Sequence, residues 1–449
     1  MVKLRISLLV AITFIVYAAR MFWLISRYAV NIFFADQWDF NNATLFQRHS
    51  LWEMFRWQHG PHRQGVGALF ERMVDPLFRW NSRTESFVIG GVIVVAAICA
   101  LWLKKRLYGD LSVFDVVIPA ILFTPALWQT LFMTQNFAHG PFPLLLVLLY
   151  FISWTCRRPA LRYALVLFLN FITIYTGFGL FLGVLTPVLL ILDYWTSTPQ
   201  NRLLKAYFIS TVFVSALSLA SFFFGYTFQS GEKCFSFQPQ SPLSYLAFVA
   251  LMFANFFGIR HVAFSSQAIG TLIVIALLIS LIMFARRLSA GKWADLGRED
   301  HNRAVIVVGL ITFSLLFCAN TAYGRLCGGL GVALQSRYSI YLEPAVLGFY
   351  FFLLSLRHES RRFFLTGFLI AVVAASLNTD RGGMVFSRDV KQRWKTCYLQ
   401  TEDIQGCNKS VGFPIYTVSP EQTRLTHLQE KLEYLKATHQ NLYLDQKTP

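Results

Sequence analysis

Two carboxylates, Asp36 and Asp39, follow the first long apolar run of the chain, Ile6 to Ile25. They are three residues apart, so a helical turn would place them on roughly one face. Acidic side chains this close to a membrane span are costly to hold near lipid, and they therefore indicate a function. A carboxylate can accept the proton of an attacking hydroxyl, an effect typically worth about 10²–10⁴ in rate. The alternatives, a helix cap or a loosely held cation, stay open.

A second polar group lies in the stretch Trp57-Gln-His-Gly-Pro-His-Arg63. Glycine and proline between two histidines favour a tight turn, which would direct His59, His62 and Arg63 toward one site. The N-terminus of a following helix would also suit an anion. A metal held by the two histidines and an aspartate is an alternative, although two histidines without a third fixed ligand are weak evidence. A satisfied turn at the membrane interface is the other alternative.

Further polar side chains fall on the same predicted side of the membrane: His139, Arg260, Arg325 and Arg337. Arg337 lies where a loop enters a predicted span, and a guanidinium at this depth is costly unless it is paired. Phosphate is a natural partner, because the guanidinium group donates two hydrogen bonds at once. Snorkelling of the arginine to lipid headgroups is the alternative. The common location of these four residues is a stronger indication of a functional site than any one residue alone.

The elements that must position these residues are membrane-spanning helices. The chain of 449 residues is 55% hydrophobic and only 14% charged, and its mean hydropathy is +0.49. Several apolar windows reach the roughly 20 residues that cross a bilayer as a helix. The formal net charge of +17 is spread over short loops rather than gathered in one basic block. This spread favours charges that set membrane topology and argues against a nucleic-acid partner.

The apolar pattern predicts an all-α integral membrane protein with about eleven transmembrane helices. The basic connections predict a cytoplasmic N-terminus, an outer C-terminus, and an outer location for the long segment 28–85. One further apolar stretch, 243–258, is short for a span. If it crossed the membrane fully, the basic stretch 286–303 would move to the outer side, so we interpret it as re-entrant or interfacial. The predicted spans are 6–26, 86–103, 113–132, 141–155, 162–176, 178–195, 206–226, 268–285, 304–320, 338–356 and 363–377.

The predicted domains are a transmembrane domain, 1–377, and a small periplasmic appendage, 378–449. Within the first outer loop, 28–85, the stretches Leu45–Trp57 and Val66–Phe78 have apolar residues at helical spacing. This pattern predicts two amphipathic helices that lie on the membrane surface and cradle the substrate of the acids.

The appendage carries two local signals of its own. The sequence Ser419-Pro-Glu-Gln422 predicts a helix start, and a leucine stripe then predicts packing on the protein body. Cys397 and Cys407 are ten residues apart, and a disulfide is expected if the compartment is oxidising. The other cysteines have no metal-ligand spacing and are expected to be inert buried thiols. The stripe is Leu425, Leu428, Leu432 and Leu435, and the other cysteines are Cys99, Cys156, Cys234, Cys318 and Cys327.

In its architecture the chain resembles GT-C-type membrane glycosyltransferases, and the stretches Asp36–Asp39, Trp57–Arg63 and Ser336–Tyr338 look like landmarks of a bacterial branch of that type. The resemblance implies a polyprenyl-phosphate-linked sugar as donor, used at the outer face of a bacterial inner membrane. The acceptor would be an envelope glycan, lipid or protein. The loop acid of such enzymes acts as base or binds the reacting groups, which corresponds to Asp36 or Asp39. Their D-x-x-D spacing differs from the adjacent or D-x-D pair of acids that is common in such enzymes. The identity of the base and any need for a divalent cation therefore stay open.

Two rival functions are compatible with a polytopic chain. A transporter or flippase for lipid-linked saccharides would carry ionisable residues inside its spans and often repeated halves. A polysaccharide polymerase or ligase would also act at the outer face, but such proteins usually have their long outer loop late in the chain. Here the polar groups concentrate at one predicted face and the long loop follows the first span, which favours the glycosyltransferase.

Overall fold

The structure, a computed structural model, describes residues 2–47, 49–196, 202–228, 241–289, 298–416 and 427–446. In the first half of the chain the α-helices are α1 (Val2–Tyr28), α2 (Gln37–Phe40), α3 (Leu51–Phe55), α4 (Gly65–Val74), α5 (Ser82–Tyr108), α6 (Val117–Leu122), α7 (Pro141–Trp154), α8 (Pro159–Ile174) and α9 (Leu180–Thr196). In the second half they are α10 (Arg202–Phe223), α11 (Pro242–Phe256), α12 (Phe264–Ser289), α13 (Arg298–Arg325), α14 (Glu343–Leu354), α15 (His358–Leu377), α16 (Arg381–Thr401), α17 (Ile404–Val411) and α18 (Leu428–Ala437). One antiparallel hairpin joins β1 (Gln58–His59) to β2 (His62–Arg63).

Among the described residues, seven helical segments are long and apolar enough to cross a membrane: Leu4–Tyr28, Ser82–Tyr108, Gly177–Tyr194, Ala206–Phe223, Phe264–Leu288, Glu299–Gly328 and Glu359–Thr401. Five shorter apolar segments accompany them: Val113–Leu127, Pro141–Trp154, Pro159–Ile174, Pro242–Phe256 and Glu343–Leu354. The chain is therefore a multi-pass helical membrane protein, as its composition predicts. The number of eleven crossings and the orientation of the termini stay predictions.

Helix α13 lies at the centre of the bundle. Its most apolar stretch is 72% buried, and it packs against α9, α11, α12 and α14. The corresponding stretches are only 28% buried in α1 and 22% buried in α10 and in α12. Since these helices expose apolar side chains, their outer faces are the ones that suit contact with lipid.

The predicted span 113–132 is not one continuous helix. Helix α6 ends at Leu122, and a 3₁₀ turn and a π-helical turn follow it, Pro125–Leu127 and Gln129–Met133. Pro125 has no N–H to donate and restricts the residue before it to extended backbone. Thr124 accordingly has ψ 137°, and its hydroxyl caps the next turn by accepting the N–H of Ala126 at 3.3 Å.

The short apolar stretch 243–258 forms α11. Leu243 and Leu246, near its start, are exposed, whereas its second half is buried against α12 and α13. Its 15 residues fall short of the roughly 20 needed to cross a bilayer. The second half therefore packs inside the bundle, and a re-entrant course stays a prediction.

The first predicted surface helix, Leu45–Trp57, is interrupted. A π-helical turn ends at Phe46, and α3 starts only after Ser50. Ser50 Oγ accepts the Glu53 N–H at 3.3 Å, and the Glu53 carboxylate accepts the Ser50 N–H at 2.8 Å. This capping box satisfies the free N–H groups of a new helix start and therefore separates α3 from the turn before it.

The second predicted surface helix consists of α4 and a 3₁₀ turn, since Pro76 interrupts the α-helical hydrogen bonds. Met73 and Leu77 are exposed, as suits an apolar face on a membrane surface. The opposite face is buried although it is acidic: Glu71 and Asp75 are each 1% exposed. The amphipathic pattern predicted the helix but not the burial of its acids.

The C-terminal segment, which the structure describes at 378–416 and 427–446, packs directly on the predicted first outer loop, 28–85. Leu428, Leu432 and Leu435 share a hydrophobic cluster with Phe33 and Trp38, which confirms the predicted packing of the leucine stripe for these three residues. The fourth leucine, Leu425, and the predicted helix start at 419–422 lie outside the described residues.

Buried polar groups of the C-terminal segment also hold the loop. Lys395 Nζ donates to the Asn31 carbonyl at 3.0 Å, and Lys431 Nζ donates to the Trp38 carbonyl at 2.8 Å. The C-terminal segment therefore fixes the backbone on both sides of Asp36.

The disulfide between Cys397 and Cys407 is present, with the two Cα atoms 5.7 Å apart, as predicted. Cys99 and Cys318 are buried thiols, as expected, and Cys156 is partly buried. Cys327, however, is disulfide-bonded, so the expectation of an inert thiol is wrong there. Spacing along the chain gave no sign of this bond, because only the fold brings distant sulfurs together. Cys234 lies outside the described residues.

Candidate functional site

A cavity of about 640 Å³ lies where the first outer loop meets the ends of several helices. Its polar and apolar lining comes from six parts of the chain, 35–37, 59–62, 130–139, 177–181, 222–228 and 320–341. The start of α5 lies on this side of the bundle, while the basic residues Lys104–Arg106 lie at the other end of that helix. The cavity therefore belongs to the end of the bundle opposite this basic connection.

The cavity brings together six of the nine predicted site residues. They are Asp36, His59, His62, His139, Arg325 and Arg337. These residues are up to 301 positions apart (337 minus 36), and only the fold makes them neighbours. One carboxylate thus faces two guanidinium groups and three imidazoles in a single water-accessible space.

Asp36 is exposed to solvent, and its backbone neighbours are fixed. Ala35 donates its N–H to the Ile415 carbonyl at 2.9 Å, which ties the loop to the C-terminal segment. Gln37 is 2% exposed and donates its side-chain amide to Glu85 Oε2 at 3.4 Å. The carboxylate of Asp36 is therefore held in place while it stays open to a ligand.

A chain of hydrogen bonds sets the tautomer of His139. Asn136 Oδ1 accepts the N–H groups of Ala138 and His139 at 2.8 and 3.2 Å, so Asn136 Nδ2 must be a donor. Nδ2 donates to Gln64 Oε1 at 3.0 Å, which leaves Gln64 Nε2 to donate to His139 Nε2 at 2.7 Å. Because Nε2 accepts this bond, the neutral ring carries its proton on Nδ1.

Gly177 lets the chain pass close to this histidine. Its φ is +41°, and a Cβ there would lie 2.6 Å from the Ala138 carbonyl oxygen and 3.2 Å from His139 Nδ1. Any larger residue would therefore collide with the wall and strain the backbone. Gly177 lines the cavity, so the Nδ1–H donor of His139 lies beside the space available to a ligand.

Two histidines of the cavity, His62 and His139, are held neutral. Burial lowers the pKa of His139 well below its usual value, and the neighbouring His62, His59 and Arg337 lower it further, while Asp36 acts in the opposite direction. Burial likewise lowers the pKa of His62 to about 3, with smaller contributions from His59 and Arg325. At neutral pH these rings are uncharged hydrogen-bonding groups, and the positive charge of the cavity resides on the arginines.

The depressed pKa of His62 predicts a loss of stability in acid. An unfolded imidazole titrates near pH 6.5, so below that pH the unfolded chain binds a proton that the folded chain excludes down to about pH 3. From pH 7 to pH 5 we expect the free energy of unfolding to fall by about 1 kcal/mol from this group, reduced by partial solvent access. Thermal unfolding at both pH values should show a smaller drop for His62→Gln than for the parent protein. The exposed His261 gives the control: His261→Gln should leave the drop unchanged, and equal drops in all three proteins would contradict the assignment.

Three groups on the cavity wall are buried without a hydrogen-bond partner in the part of the chain that the structure describes. They are Gln135 Oε1, Thr321 Oγ1 and the hydroxyl of Tyr338. Their side chains are between 0% and 5% exposed. A buried polar atom without a partner costs about 1–3 kcal/mol, so these atoms indicate a ligand rich in hydrogen-bonding groups or ordered water.

Three predicted site residues do not line the cavity. Arg63 is 2% exposed, and its guanidinium donates to the backbone carbonyls of Phe222, Phe224 and Arg56. These bonds hold the β1–β2 hairpin against the end of α10, so Arg63 positions the cavity wall rather than a phosphate.

Asp39 and Arg260 are also engaged elsewhere. Asp39 accepts a hydrogen bond from the Tyr416 hydroxyl. Arg260 donates to Asn378 O at 2.9 Å, between the α11–α12 connection and the end of α15. Asp39, Arg63 and Arg260 therefore lie outside the cavity, and spacing in the sequence could not tell which neighbouring acid or arginine faces inward.

Sequence reasoning missed the amides and hydroxyls that complete the wall. Gln64 directly follows the stretch that ends at Arg63, and Asn136 lies within the stretch Gln135–His139, so both stood next to predicted residues. Thr321 precedes Arg325 by one helical turn on α13, which is a signal that could have found it. The pairing of Gln64 with His139 had no sequence signal, because they are 75 residues apart.

Comparisons with known proteins give no match: neither a protein-family model, nor a curated protein, nor a solved structure is similar to the chain.

Proposed function

We propose that the protein is a membrane glycosyltransferase that moves a sugar from a polyprenyl-phosphate carrier to a hydroxyl of a cell-envelope glycan, lipid or protein. The observation that carries the proposal is the composition of the cavity wall. One exposed carboxylate, Asp36, shares a space of about 640 Å³ with Arg325, Arg337 and the neutral rings of His62 and His139. Transfer of a sugar from a phosphate carrier takes a proton from the acceptor, which the carboxylate can accept. The transfer also releases a phosphate, which the arginines can bind.

The proposed reaction assigns each group a step. The carboxylate of Asp36 accepts the proton of the acceptor hydroxyl as its oxygen bonds to the anomeric carbon of the sugar. The bond between that carbon and the phosphate oxygen breaks, and polyprenyl phosphate leaves with the electron pair. Arg325, Arg337 and the Nδ1–H of His139 stabilise the negative charge of the leaving phosphate.

Other parts of the wall support a lipid-linked sugar as the ligand. The unpartnered atoms of Gln135, Thr321 and Tyr338 would hydrogen-bond sugar hydroxyls. Aromatic rings also line the cavity and suit an isoprenoid chain: Phe178, Phe181, Phe222 and Phe228. The outer face of a bacterial inner membrane and the polyprenyl carrier follow from the charge pattern and the resemblance, and they are part of the proposal.

A second candidate, a transporter of lipid-linked saccharides, is favoured by one observation. Glu343, the first residue of α14, is 0% exposed, and neither of its carboxyl oxygens has a hydrogen-bond partner among the described residues. An ionisable residue inside an apolar bundle is typical of proton-coupled transport. Lys104 and Asp115, by comparison, form a buried pair at 2.8 Å and need no such explanation.

One assay separates the two candidates. The purified protein in liposomes is given polyprenyl-phosphate sugars labelled in the sugar, and both the release of polyprenyl phosphate and the movement of donor between leaflets are measured. We expect release of polyprenyl phosphate that depends on an acceptor, with little effect of Glu343→Gln. Movement between leaflets without release, abolished by Glu343→Gln, would contradict the glycosyltransferase and support the transporter.

A further inference from the structure

Three buried carboxylates form a cluster behind the cavity wall. Glu71 of α4, Asp75 after it, and Glu85 of α5 are each 1% exposed, and each offers a carboxylate oxygen within 4.8 Å of those of the other two. Glu71 and Asp75 are four residues apart, which puts them on one face, and the tertiary fold brings Glu85 to that face. The cluster is separate from Asp36 and Asp39.

Glu71 and Asp75 hydrogen-bond each other, and few hydrogen bonds reach the cluster from outside it. Thr44 Oγ1 donates to Glu71 Oε2 and Gln37 Nε2 donates to Glu85 Oε2, both at the long distance of 3.4 Å. Asp75 Oδ1 and Glu85 Oε1 have no hydrogen-bond partner among the described residues, although both side chains are almost fully buried. Unpartnered carboxylate oxygens inside a buried acidic cluster point to a group that the protein itself does not supply.

A lysine nearby does not neutralise the three acids. Lys391 of α16 attracts the carboxylate of Glu85, but its Nζ donates to the carbonyls of Phe132 and Met133 at 3.2 and 3.1 Å. The cluster therefore holds either a cation or shared protons, because up to three buried negative charges face one ammonium.

We propose that Glu71, Asp75 and Glu85 bind one hard divalent cation of the Mg²⁺ or Ca²⁺ class. All the candidate ligand atoms are carboxylate oxygens. Mg²⁺ and Ca²⁺ prefer oxygen ligands, whereas softer metals favour nitrogen and sulfur ligands. The carboxylates come from α4, the turn after it and α5, so the ion joins the end of the first outer loop to the bundle. Gln37, which directly follows Asp36 in the chain, donates a hydrogen bond to Glu85. The ion therefore also stabilises the loop that presents Asp36.

The test uses the full chain in a neutral detergent, freed of metal with a chelator and then titrated with MgCl₂ or CaCl₂. We expect calorimetry to show one site for at least one of the two ions, and the thermal unfolding midpoint to rise with ion concentration. Glu71→Gln and Asp75→Asn should each weaken binding by about tenfold or more, whereas Glu359→Gln, at an exposed acid, should bind as the parent does.

Two results would overturn the proposal. The first is an unfolding midpoint that responds to neither ion up to millimolar concentration, which would show that the carboxyl groups share protons instead. The second is binding that survives in Glu71→Gln, Asp75→Asn and Glu85→Gln alike. If a variant is poorly folded, the response of the parent protein to chelator and added ion decides the question. None of these measurements depends on the proposed transferase activity.

Discussion

We expect Asp36→Asn to lower the rate of the proposed sugar transfer by about 10²–10⁴-fold, because an amide cannot accept the proton of the acceptor hydroxyl. The substitution keeps the size and shape of the side chain. Asp36 is exposed, so the change leaves no buried charge without a partner, and the thermal unfolding midpoint should stay close to that of the parent protein. The measurement is turnover of a labelled polyprenyl-phosphate sugar at saturating donor and acceptor.

Asp39→Asn is the matched control for this prediction. It is the same substitution three residues away, on an acid that accepts a hydrogen bond from Tyr416 and does not line the cavity. We expect this variant to keep most of its turnover, with at most a small loss of stability. If Asp39→Asn is inactive while Asp36→Asn turns over normally, the assignment of the base from the cavity is wrong.

The location of the site could be predicted from the sequence because charge follows membrane topology. Lysine and arginine mark one side of the spans, and the remaining polar residues then fall on the other side together. This argument placed Asp36, His62 and Arg337 on one face without any tertiary information. It could not separate Asp36 from Asp39, since both lie on that face and only their contacts distinguish them.

The parts of the fold that could not be predicted depend on contacts between distant segments. The C-terminal segment fixes the first outer loop through Lys395 and Lys431, more than 360 residues later in the chain (395 minus 31 is 364). A single sequence carries no signal for such pairs. Their effect is large, because they fix the 53-residue connection between α1 and α5 (residues 29–81), which carries Asp36.

The carboxylate cluster was missed for a different reason. The stretch Val66–Phe78 has a clear apolar period, and amphipathic helices usually bury their apolar side. Here Met73 and Leu77 are exposed, as suits a surface in contact with lipid, and the acidic side faces the protein. In a membrane protein the apolar face of a surface helix can point away from the core, so the period predicts the helix but not which face is buried.

Gln64→Glu reverses the hydrogen bond that sets the tautomer of His139. Its new carboxylate can only accept, so His139 Nε2 must carry a proton, and the neutral ring then presents a lone pair instead of Nδ1–H to the cavity. Loss of a donor to a phosphate costs about 1.5–3 kcal/mol, so we expect turnover near pH 8 to fall by about 10–100-fold. The carboxylate also raises the pKa of His139, because it stabilises the imidazolium.

The pH dependence of this variant is the decisive readout. As the pH falls through the raised pKa, the imidazolium regains Nδ1–H and turnover of Gln64→Glu should recover. Gln64→Met removes the hydrogen bond without adding charge, and it should lose activity with no recovery in acid. Nitrogen-15 spectra of labelled histidine in the parent protein provide an independent check, since they distinguish the two tautomers. A proton found on Nε2 of His139 would contradict the hydrogen-bond chain from Asn136 through Gln64, and with it the donor that the proposed reaction uses to stabilise the leaving phosphate.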